Sequence, residues 1–141
     1  MKKTAVVFWS GTGNTEAMAN AVLAGAQETG AAADLYQVSD FSADKLADYE
    51  AVAFGCPAMG DEELETDEFE PVFQACLPAL GDKAVALFGS YGWGDGGWMR
   101  TWEQTCADAG VTLAAESVLC NETPDDEGEA RCKALGKALA E

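Results

Sequence analysis

The sequence predicts an α/β fold in which a mostly parallel, five-stranded sheet is covered by helices on both faces. Short apolar runs rich in valine, alanine and phenylalanine recur along the 141 residues, as they do in buried parallel strands. Segments with apolar residues at helical spacing separate these runs, and such alternation is typical of β-α-β units. The length fits one domain, residues 1–141.

The first half of the chain supplies three of the predicted strands. Residues 6–8, Val-Val-Phe, predict a buried strand, and an alanine-rich helix follows that is expected to end near Gly30. Residues 34–38 alternate polar and apolar side chains, which predicts a strand nearer the sheet edge. Ser42 is expected to cap a short helix, and residues 51–55 predict the third strand.

The second half supplies the other two strands. Thr66 is expected to cap a helix with one apolar face. Residues 83–88 predict the fourth strand, and residues 98–109 predict the helix after it. Residues 111–120 predict the fifth strand, with a break near its middle. Pro124 is expected at the first position of a final helix.

Two strand orders are compatible with this pattern, 2-1-3-4-5 and the longer dinucleotide-binding type of sheet. A sheet of five strands favours the order 2-1-3-4-5. In that order a ligand binds at the carboxyl ends of strands 1 and 3, where the strand order reverses direction. The loops at residues 10–15, 56–63 and 89–97 would meet there, and their compositions are the most unusual in the chain.

The loop at residues 10–15 is suited to binding a phosphate. It combines two glycines with three hydroxyls and an amide directly before a helix: Ser10, Gly11, Thr12, Gly13, Asn14 and Thr15. Backbone N–H groups at a helix N-terminus attract anions. The loop lacks the lysine of a Walker A motif, so neutral donors would hold the phosphate of a tightly bound cofactor. A plain strand-to-helix turn is the alternative interpretation.

The other two loops offer groups for a flat ring. Met59 is suited to packing on an aromatic ring, Gly60 can take backbone conformations closed to other residues, and Glu62 can accept a hydrogen bond from a ring N–H. Tyr91 and Trp93 stand among glycines in the third loop. Aromatic side chains in such a loop either cap the core or stack on a flat ligand.

Composition excludes several classes of function. The net charge of −17 makes nucleic acid and anionic membranes poor partners, and no apolar run approaches the ~20 residues of a membrane span. The chain has no histidine, and its five cysteines include no C-x-x-C pair. We therefore expect no metal site, no disulfide framework and a cytoplasmic protein.

The three loop motifs resemble those of flavodoxins. Ser-Gly-Thr-Gly-Asn-Thr follows the first predicted strand, Met-Gly-Asp-Glu follows the third, and Gly-Ser-Tyr-Gly-Trp-Gly-Asp-Gly follows the fourth. The match is to the short-chain branch, which lacks a long insertion in the last strand, and it covers essentially the whole chain. The resemblance implies a three-layer, flavodoxin-like sandwich with the strand order 2-1-3-4-5.

The resemblance also implies non-covalently bound FMN. Its phosphate would lie in the loop of residues 10–15, and its isoalloxazine ring would lie between Met59 and Trp93. The Gly60 carbonyl would turn toward flavin N5–H in the semiquinone, and Glu62 would lie near N3. The implied cofactor-binding residues of the second and third loops are Pro57, Ala58, Met59, Gly60, Asp61, Glu62, Ser90, Tyr91, Gly92, Trp93, Gly94 and Asp95.

The function that the resemblance implies is a low-potential one-electron carrier between redox enzymes, cycling mainly between neutral semiquinone and hydroquinone. Such a carrier has no substrate of its own, so no catalytic residue is assigned, and a monomer is expected. The three loops contain acidic but no basic residues, and this field should disfavour the anionic hydroquinone. The acidic cluster at residues 61–70 is either a docking surface for basic redox partners or a solvated face.

Two other functions share this architecture. An FMN-dependent NAD(P)H:quinone reductase would need a dinucleotide pocket and usually an oligomer interface, and the sequence gives a signal for neither. A phospho-receiver needs an acidic pair after strand 1 and a lysine after the last strand. The chain has Trp9-Ser10 and Cys120-Asn121 at those places, so we discard this alternative.

Overall fold

Five parallel strands form one sheet in the order β2-β1-β3-β4-β5. A computed structural model describes residues 1–60 and 62–141 of the chain. The strands are β1 (Thr4–Phe8), β2 (Ala33–Gln37), β3 (Ala51–Gly55), β4 (Ala84–Tyr91) and β5 (Val118–Asn121). The expected order is confirmed, and the dinucleotide-binding type of sheet is excluded.

Among the residues that the structure describes, four α-helices cover the sheet. They are α1 (Asn14–Glu28), α2 (Phe69–Cys76), α3 (Gly97–Asp108) and α4 (Asp126–Ala140). α1 and α4 pack on one face, and α2 and α3 pack on the other, which gives three layers. Among the described residues, no helix is both long and apolar enough to cross a membrane.

The central strands carry apolar side chains on both faces of the sheet because helices cover both faces. All residues of β1 and β3 are buried. Within β1, Val6 and Phe8 belong to the core beneath α1 and α4, whereas Ala5 and Val7 belong to the core beneath α2 and α3. This explains why β1 shows an unbroken apolar run instead of an alternating pattern.

α1 and α4 pack closely against each other. A Cβ on Gly25 or on Gly136 would overlap the backbone of the opposite helix. At the end of α1, Glu28 accepts salt bridges from Lys133 Nζ at 3.0 Å and from Lys137 Nζ at 3.2 Å.

Several element boundaries differ from the sequence prediction. β4 continues to Tyr91, so the expected loop at residues 89–97 begins three residues later. α2 begins at Phe69, and the Glu65 carboxylate, not Thr66, accepts the hydrogen bonds of its N-terminal backbone. Thr66 as the cap was therefore wrong, because a carboxylate reaches three N–H groups at once.

The short helix expected after Ser42 is present, whereas the start of α4 differs from the prediction. Residues 43–48 form a 3-10 helix after Ser42, where a short helix was expected. α4 begins after Asp125, whose side chain accepts a hydrogen bond from the Gly128 N–H at 2.7 Å. Pro124 therefore precedes the cap, and its placement at the first helical position was wrong.

Candidate functional site

The carboxyl ends of β1, β3, β4 and β5 surround one cleft of about 400 Å³. Its lining residues are Trp9, Gly11, Thr12, Asn14, Pro57, Ala58, Met59, Ser90, Tyr91, Gly92, Glu122 and Thr123. Small-molecule sites commonly measure about 300–1,000 Å³. The cleft therefore has the size and the position of a ligand site in a sheet whose strand order reverses between β1 and β3.

The loop after β1 brings the N-terminus of α1 to the cleft. Gly13 precedes the helix with φ of +95°, a conformation that favours glycine, and its N–H donates to Ser10 Oγ at 3.0 Å. Gly11 lets the Trp9 ring approach, because a Cβ on this glycine would lie 3.0 Å from Trp9 Cη2. Thr12 is exposed and lines the cleft. Partial positive charge at the helix N-terminus therefore faces the cleft.

Two hydrogen bonds hold this loop against its neighbours. Thr15 Oγ1 and Ser90 Oγ are 2.8 Å apart in the buried region between α1 and β4. Thr123 Oγ1 donates to Asn14 Oδ1 at 3.0 Å, which connects the loop to the segment after β5. The loop is therefore positioned by contacts within the protein.

The loop after β3 forms a tight turn beside the cleft. Ala58 N–H donates to the Ser90 carbonyl at 3.0 Å, and Met59 and Glu63 exchange two backbone hydrogen bonds of 2.8 Å each. Gly60 has φ of +51° and Glu62 has φ of +59°. A Cβ on Gly60 would meet nothing within 4 Å, so its requirement for glycine is conformational. Met59, 37% exposed, lines the cleft.

The loop after β4 is more open. Tyr91 lines the cleft and packs on Trp98 with ring centroids 5.7 Å apart. Trp93 is 65% exposed and does not belong to the cleft lining. Asp95 forms an ion pair with Arg100 at 3.0 Å. The guanidinium of Arg100 holds the pKa of the Asp95 carboxyl below its usual range.

Glu62 does not belong to the cleft lining. Its carboxylate rests against Gly94 and Gly97, where a Cβ on either glycine would overlap it. Side chains at these two positions would therefore displace Glu62. This contact joins the turn after β3 to the loop after β4.

Buried contacts anchor the turn after β3 to the core. Trp98 Nε1 donates to the Cys56 carbonyl at 3.1 Å, and Glu65 N–H donates to Cys56 Sγ at 3.3 Å. Burial raises the pKa of the Cys56 thiol to about 12, so this group stays neutral and serves as a packed acceptor. The five cysteines are all free and buried.

The structure gathers half of the predicted site residues around the cleft and leaves others beside it. Those in the lining are Gly11, Thr12, Asn14, Pro57, Ala58, Met59, Ser90, Tyr91 and Gly92. Those described but outside the lining are Ser10, Gly13, Thr15, Gly60, Glu62, Trp93, Gly94 and Asp95. Asp61 lies outside the described residues. The roles assigned to all of these residues remain predictions.

Three lining residues were missed by the sequence prediction. Trp9 follows β1 directly, and Glu122 and Thr123 follow β5 directly. Glu122 has φ of +58° and its N–H donates to the Tyr91 carbonyl at 2.7 Å. Their positions at the carboxyl ends of strands were the available signal, because ligands bind at that edge of such sheets.

The Flavodoxin family model matches residues 6–135. The chain is similar to the flavodoxin of Megasphaera elsdenii, with 47% identity over 96% of each chain. It is also similar to the flavodoxin of Clostridium beijerinckii, with 43% identity over 96% of this chain and 97% of that one.

Solved structures agree with the observed fold. The solution structure of two-electron reduced Megasphaera elsdenii flavodoxin superimposes with a TM-score of 0.89, covering 97% of this chain and 98% of that one. A flavodoxin from the domain Archaea, 27% identical, superimposes with a TM-score of 0.81 over 97% of this chain and 96% of that one.

Proposed function

Because the chain belongs to the flavodoxin family of electron carriers, we propose that it shuttles single electrons on non-covalently bound FMN between redox enzymes. One observation carries the proposal. The cleft at the carboxyl edge of the sheet combines a helix N-terminus rich in hydroxyls with apolar and aromatic walls. One end suits a phosphate, and the other suits a flat ring.

The donor set at the phosphate end fits a permanent phosphate monoester. Thr12 and Asn14 line the cleft next to the N-terminus of α1. Among residues 1–60 and 62–141, no lysine or arginine belongs to the cleft lining. Backbone N–H groups and hydroxyls therefore supply the binding, aided by the helix dipole.

The other end fits the isoalloxazine ring. Trp9, Met59 and Tyr91 give the walls apolar and aromatic surface, and sulfur and aromatic side chains pack favourably on flat rings. Met59 would contact the inner face of the ring. The exposed Trp93 would cover its outer face and exclude water from it.

When bound, FMN supplies one-electron chemistry at this ring. Gly60 would offer its backbone carbonyl to the proton on flavin N5, because glycine allows that peptide more than one orientation. Glu62 would accept the N3–H. Glu122 in the lining adds negative charge, which opposes further negative charge on the ring.

Partners are proposed to present basic docking surfaces. Glu63, Asp67 and Glu68 are exposed near the turn after β3, and the whole chain carries a net charge of −17. Such a field steers a basic protein toward the flavin edge. We further propose that the chain is a monomer. We also propose that residues 1–141 form one domain, because the five described strands belong to one sheet. The five buried thiols fit the reducing cytoplasm.

Titration of the flavin-free protein tests the cofactor. FMN should bind at one equivalent with quenching of its fluorescence, and riboflavin, which lacks the phosphate, should bind much more weakly. Equal affinity for FMN and riboflavin would contradict the phosphate site. Failure of both ligands to bind would contradict a flavin cofactor. Catalytic turnover of NAD(P)H by the FMN-loaded protein alone would favour the reductase alternative.

A further inference from the structure

Trp9 contributes to two neighbouring spaces at the carboxyl edge of the sheet. It belongs to the lining of the cleft and to the lining of a smaller pocket of about 140 Å³. Glu16 and Glu68 also line the smaller pocket. Because a tryptophan side chain is large and carries a polar N–H at one end, the orientation of the Trp9 indole affects the shape of both spaces.

The backbone of Trp9 is held at the end of β1. Its N–H donates to the Gly55 carbonyl at 3.0 Å, which continues the pairing of β1 with β3. A side chain on a fixed backbone can still adopt more than one staggered rotamer. The orientation of the indole therefore depends on contacts of the ring itself.

Both ends of the indole make contacts within the protein. Nε1 donates to Glu68 Oε1 at 3.2 Å. The six-membered ring lies beside Gly11, where a Cβ would be 3.0 Å from Trp9 Cη2 and 3.3 Å from Trp9 Cζ3. Packing against Gly11 has no preferred direction, whereas a hydrogen bond weakens steeply when its donor is misaligned. The bond to Glu68 is therefore the contact that selects one orientation of the indole.

Glu68 acts from a fixed position at the start of α2. Its backbone N–H donates to Glu65 Oε1 at 2.8 Å, and α2 begins at the next residue. Glu68 is exposed and does not belong to the cleft lining. Its contact with the cleft is therefore made through Trp9.

We propose that Glu68 is a positioning residue of the cleft: its carboxylate accepts the Trp9 indole N–H and holds the ring in the orientation that forms one wall. A wall that is already ordered lowers the entropy cost of binding a ligand. The indole requires an acceptor at this position, because its N–H is a donor only. A neutral amide also supplies an acceptor oxygen, whereas an aliphatic side chain supplies none.

Indole NMR tests this bond in the flavin-free protein. With 15N-labelled tryptophan, the Trp9 Hε1 signal is identified by its loss in Trp9→Phe. Glu68→Leu should shift this signal and speed its hydrogen exchange with water, since the N–H loses its acceptor. Glu68→Gln, which keeps an oxygen acceptor, should preserve most of the slow exchange. Asp67→Leu removes an exposed acid at the preceding position and should leave the signal in place.

An unchanged Trp9 Hε1 signal in Glu68→Leu would overturn the proposal. Equal shifts in Glu68→Leu and Asp67→Leu would overturn it as well, since the signal would then report only a loss of negative charge. Equally fast exchange in Glu68→Gln and Glu68→Leu would show that the charge of Glu68, and not its acceptor oxygen, affects the indole, which would also contradict the positioning role.

The consequence for the cofactor rests on the proposed function and has its own readout. Glu68→Leu should weaken FMN binding about three-fold, the effect of one exposed hydrogen bond, whereas Glu68→Gln should bind FMN nearly as tightly as the parent. In a Trp9→Phe background, which has no indole N–H, Glu68→Leu should cause little further loss. Fully additive losses would overturn the positioning role. Failure of the parent protein to bind FMN would contradict the proposed function but not the bond between Trp9 and Glu68, which is measured without flavin.

Discussion

Thr15 Oγ1 and Ser90 Oγ share a hydrogen bond of 2.8 Å that joins the loop after β1 to β4. The two residues are 1% and 4% exposed, so neither hydroxyl has bulk water as an alternative partner. The bond holds two walls of the cleft together within the protein itself. The site is therefore assembled before a ligand binds.

Ser90→Ala should destabilise the flavin-free protein by about 1–3 kcal/mol, because it leaves the Thr15 hydroxyl buried and unpaired. Urea unfolding measures this change. Thr12→Val is the matched control, since Thr12 is exposed in the same loop. It should change stability by less than about 0.5 kcal/mol yet weaken FMN binding. A Ser90→Ala protein as stable as the parent would contradict a structural role for the bond.

Glu65 should make the stability of the protein dependent on pH. Its carboxylate accepts backbone hydrogen bonds from Asp67, Glu68 and Phe69 at 2.9, 2.8 and 2.7 Å. Burial acts to raise the pKa of this carboxyl, but the three donors outweigh burial and hold the pKa below its ordinary value of 4.5. The resulting stability is fully present above the unfolded-state pKa and is lost as the pH falls through the folded-state pKa.

Glu65→Gln should therefore cost about 1–2 kcal/mol at neutral pH, the scale of a lost helix cap. The difference from the parent should shrink as the pH falls from about 5 to about 3. Urea unfolding at several pH values measures it, with the exposed Glu63→Gln as the control. A difference that stays constant over this range would show that the ionised carboxylate is not what stabilises α2.

Gly60→Val should reduce the amount of semiquinone that accumulates on the bound flavin. The φ of +51° at Gly60 is strained for a β-branched residue, so the peptide would lose the orientation that offers its carbonyl to N5. A redox titration followed by absorbance measures the semiquinone. Gly81→Val is the control, because Gly81 is exposed and a Cβ there meets nothing within 4 Å. Undiminished semiquinone in Gly60→Val would refute the role.

Glu122→Gln should raise the potential of the semiquinone/hydroquinone couple more than Asp95→Asn does. Glu122 lines the cleft, whereas the charge of Asp95 is partly balanced by Arg100 at 3.0 Å. A unit charge about 4 Å away acts with about 1 kcal/mol at the dielectric constant of water, or about 40 mV for one electron. Spectroelectrochemistry measures both variants. Equal or absent shifts would count against control of the potential by the local field.

Electron transfer to a basic redox partner should slow as ionic strength rises. Screening shortens the reach of charges from about 30 Å at 0.01 M to about 8 Å at 0.15 M. Glu63→Gln combined with Glu68→Gln should lower the salt dependence measured by stopped-flow. Asp82→Asn, just before β4 at the opposite edge of the sheet, should not. Electron-transfer rates that do not depend on ionic strength would indicate that these acidic residues form a solvated face and not a docking surface.

The sequence predicted the first four strands well because their signals are local. The fifth strand, predicted over residues 111–120, covers only Val118–Asn121. β1 and β3 are short, continuous apolar runs covered on both faces. Their short length and their β-branched and aromatic residues identify them as strands, because periodicity alone does not distinguish such a run from a buried helix. Helix starts were predicted less well. Thr66 looked like a cap by residue type, but the Glu65 carboxylate reaches forward to three N–H groups, and glutamate is not among the residue types that favour a helix N-cap.

The site was predictable to the extent that it lies in glycine-rich loops. Gly11, Met59 and Tyr91 meet at the cleft as expected, since the strand order brings their loops to one edge. Glu122 joins them because β4 and β5 pair in register. The residue composition around Glu122 did not indicate a binding site. Glu62 does not belong to the cleft lining. Its carboxylate rests against Gly94 and Gly97, a contact that becomes visible only in three dimensions.

The visible spectrum during stepwise anaerobic reduction of the FMN-loaded protein tests most directly whether this chain carries electrons singly. We predict two separated one-electron steps, in which the yellow protein turns blue as the neutral semiquinone forms and then pale as the hydroquinone forms. A single two-electron step from yellow to pale, with no blue species at any point, would contradict one-electron transfer on FMN.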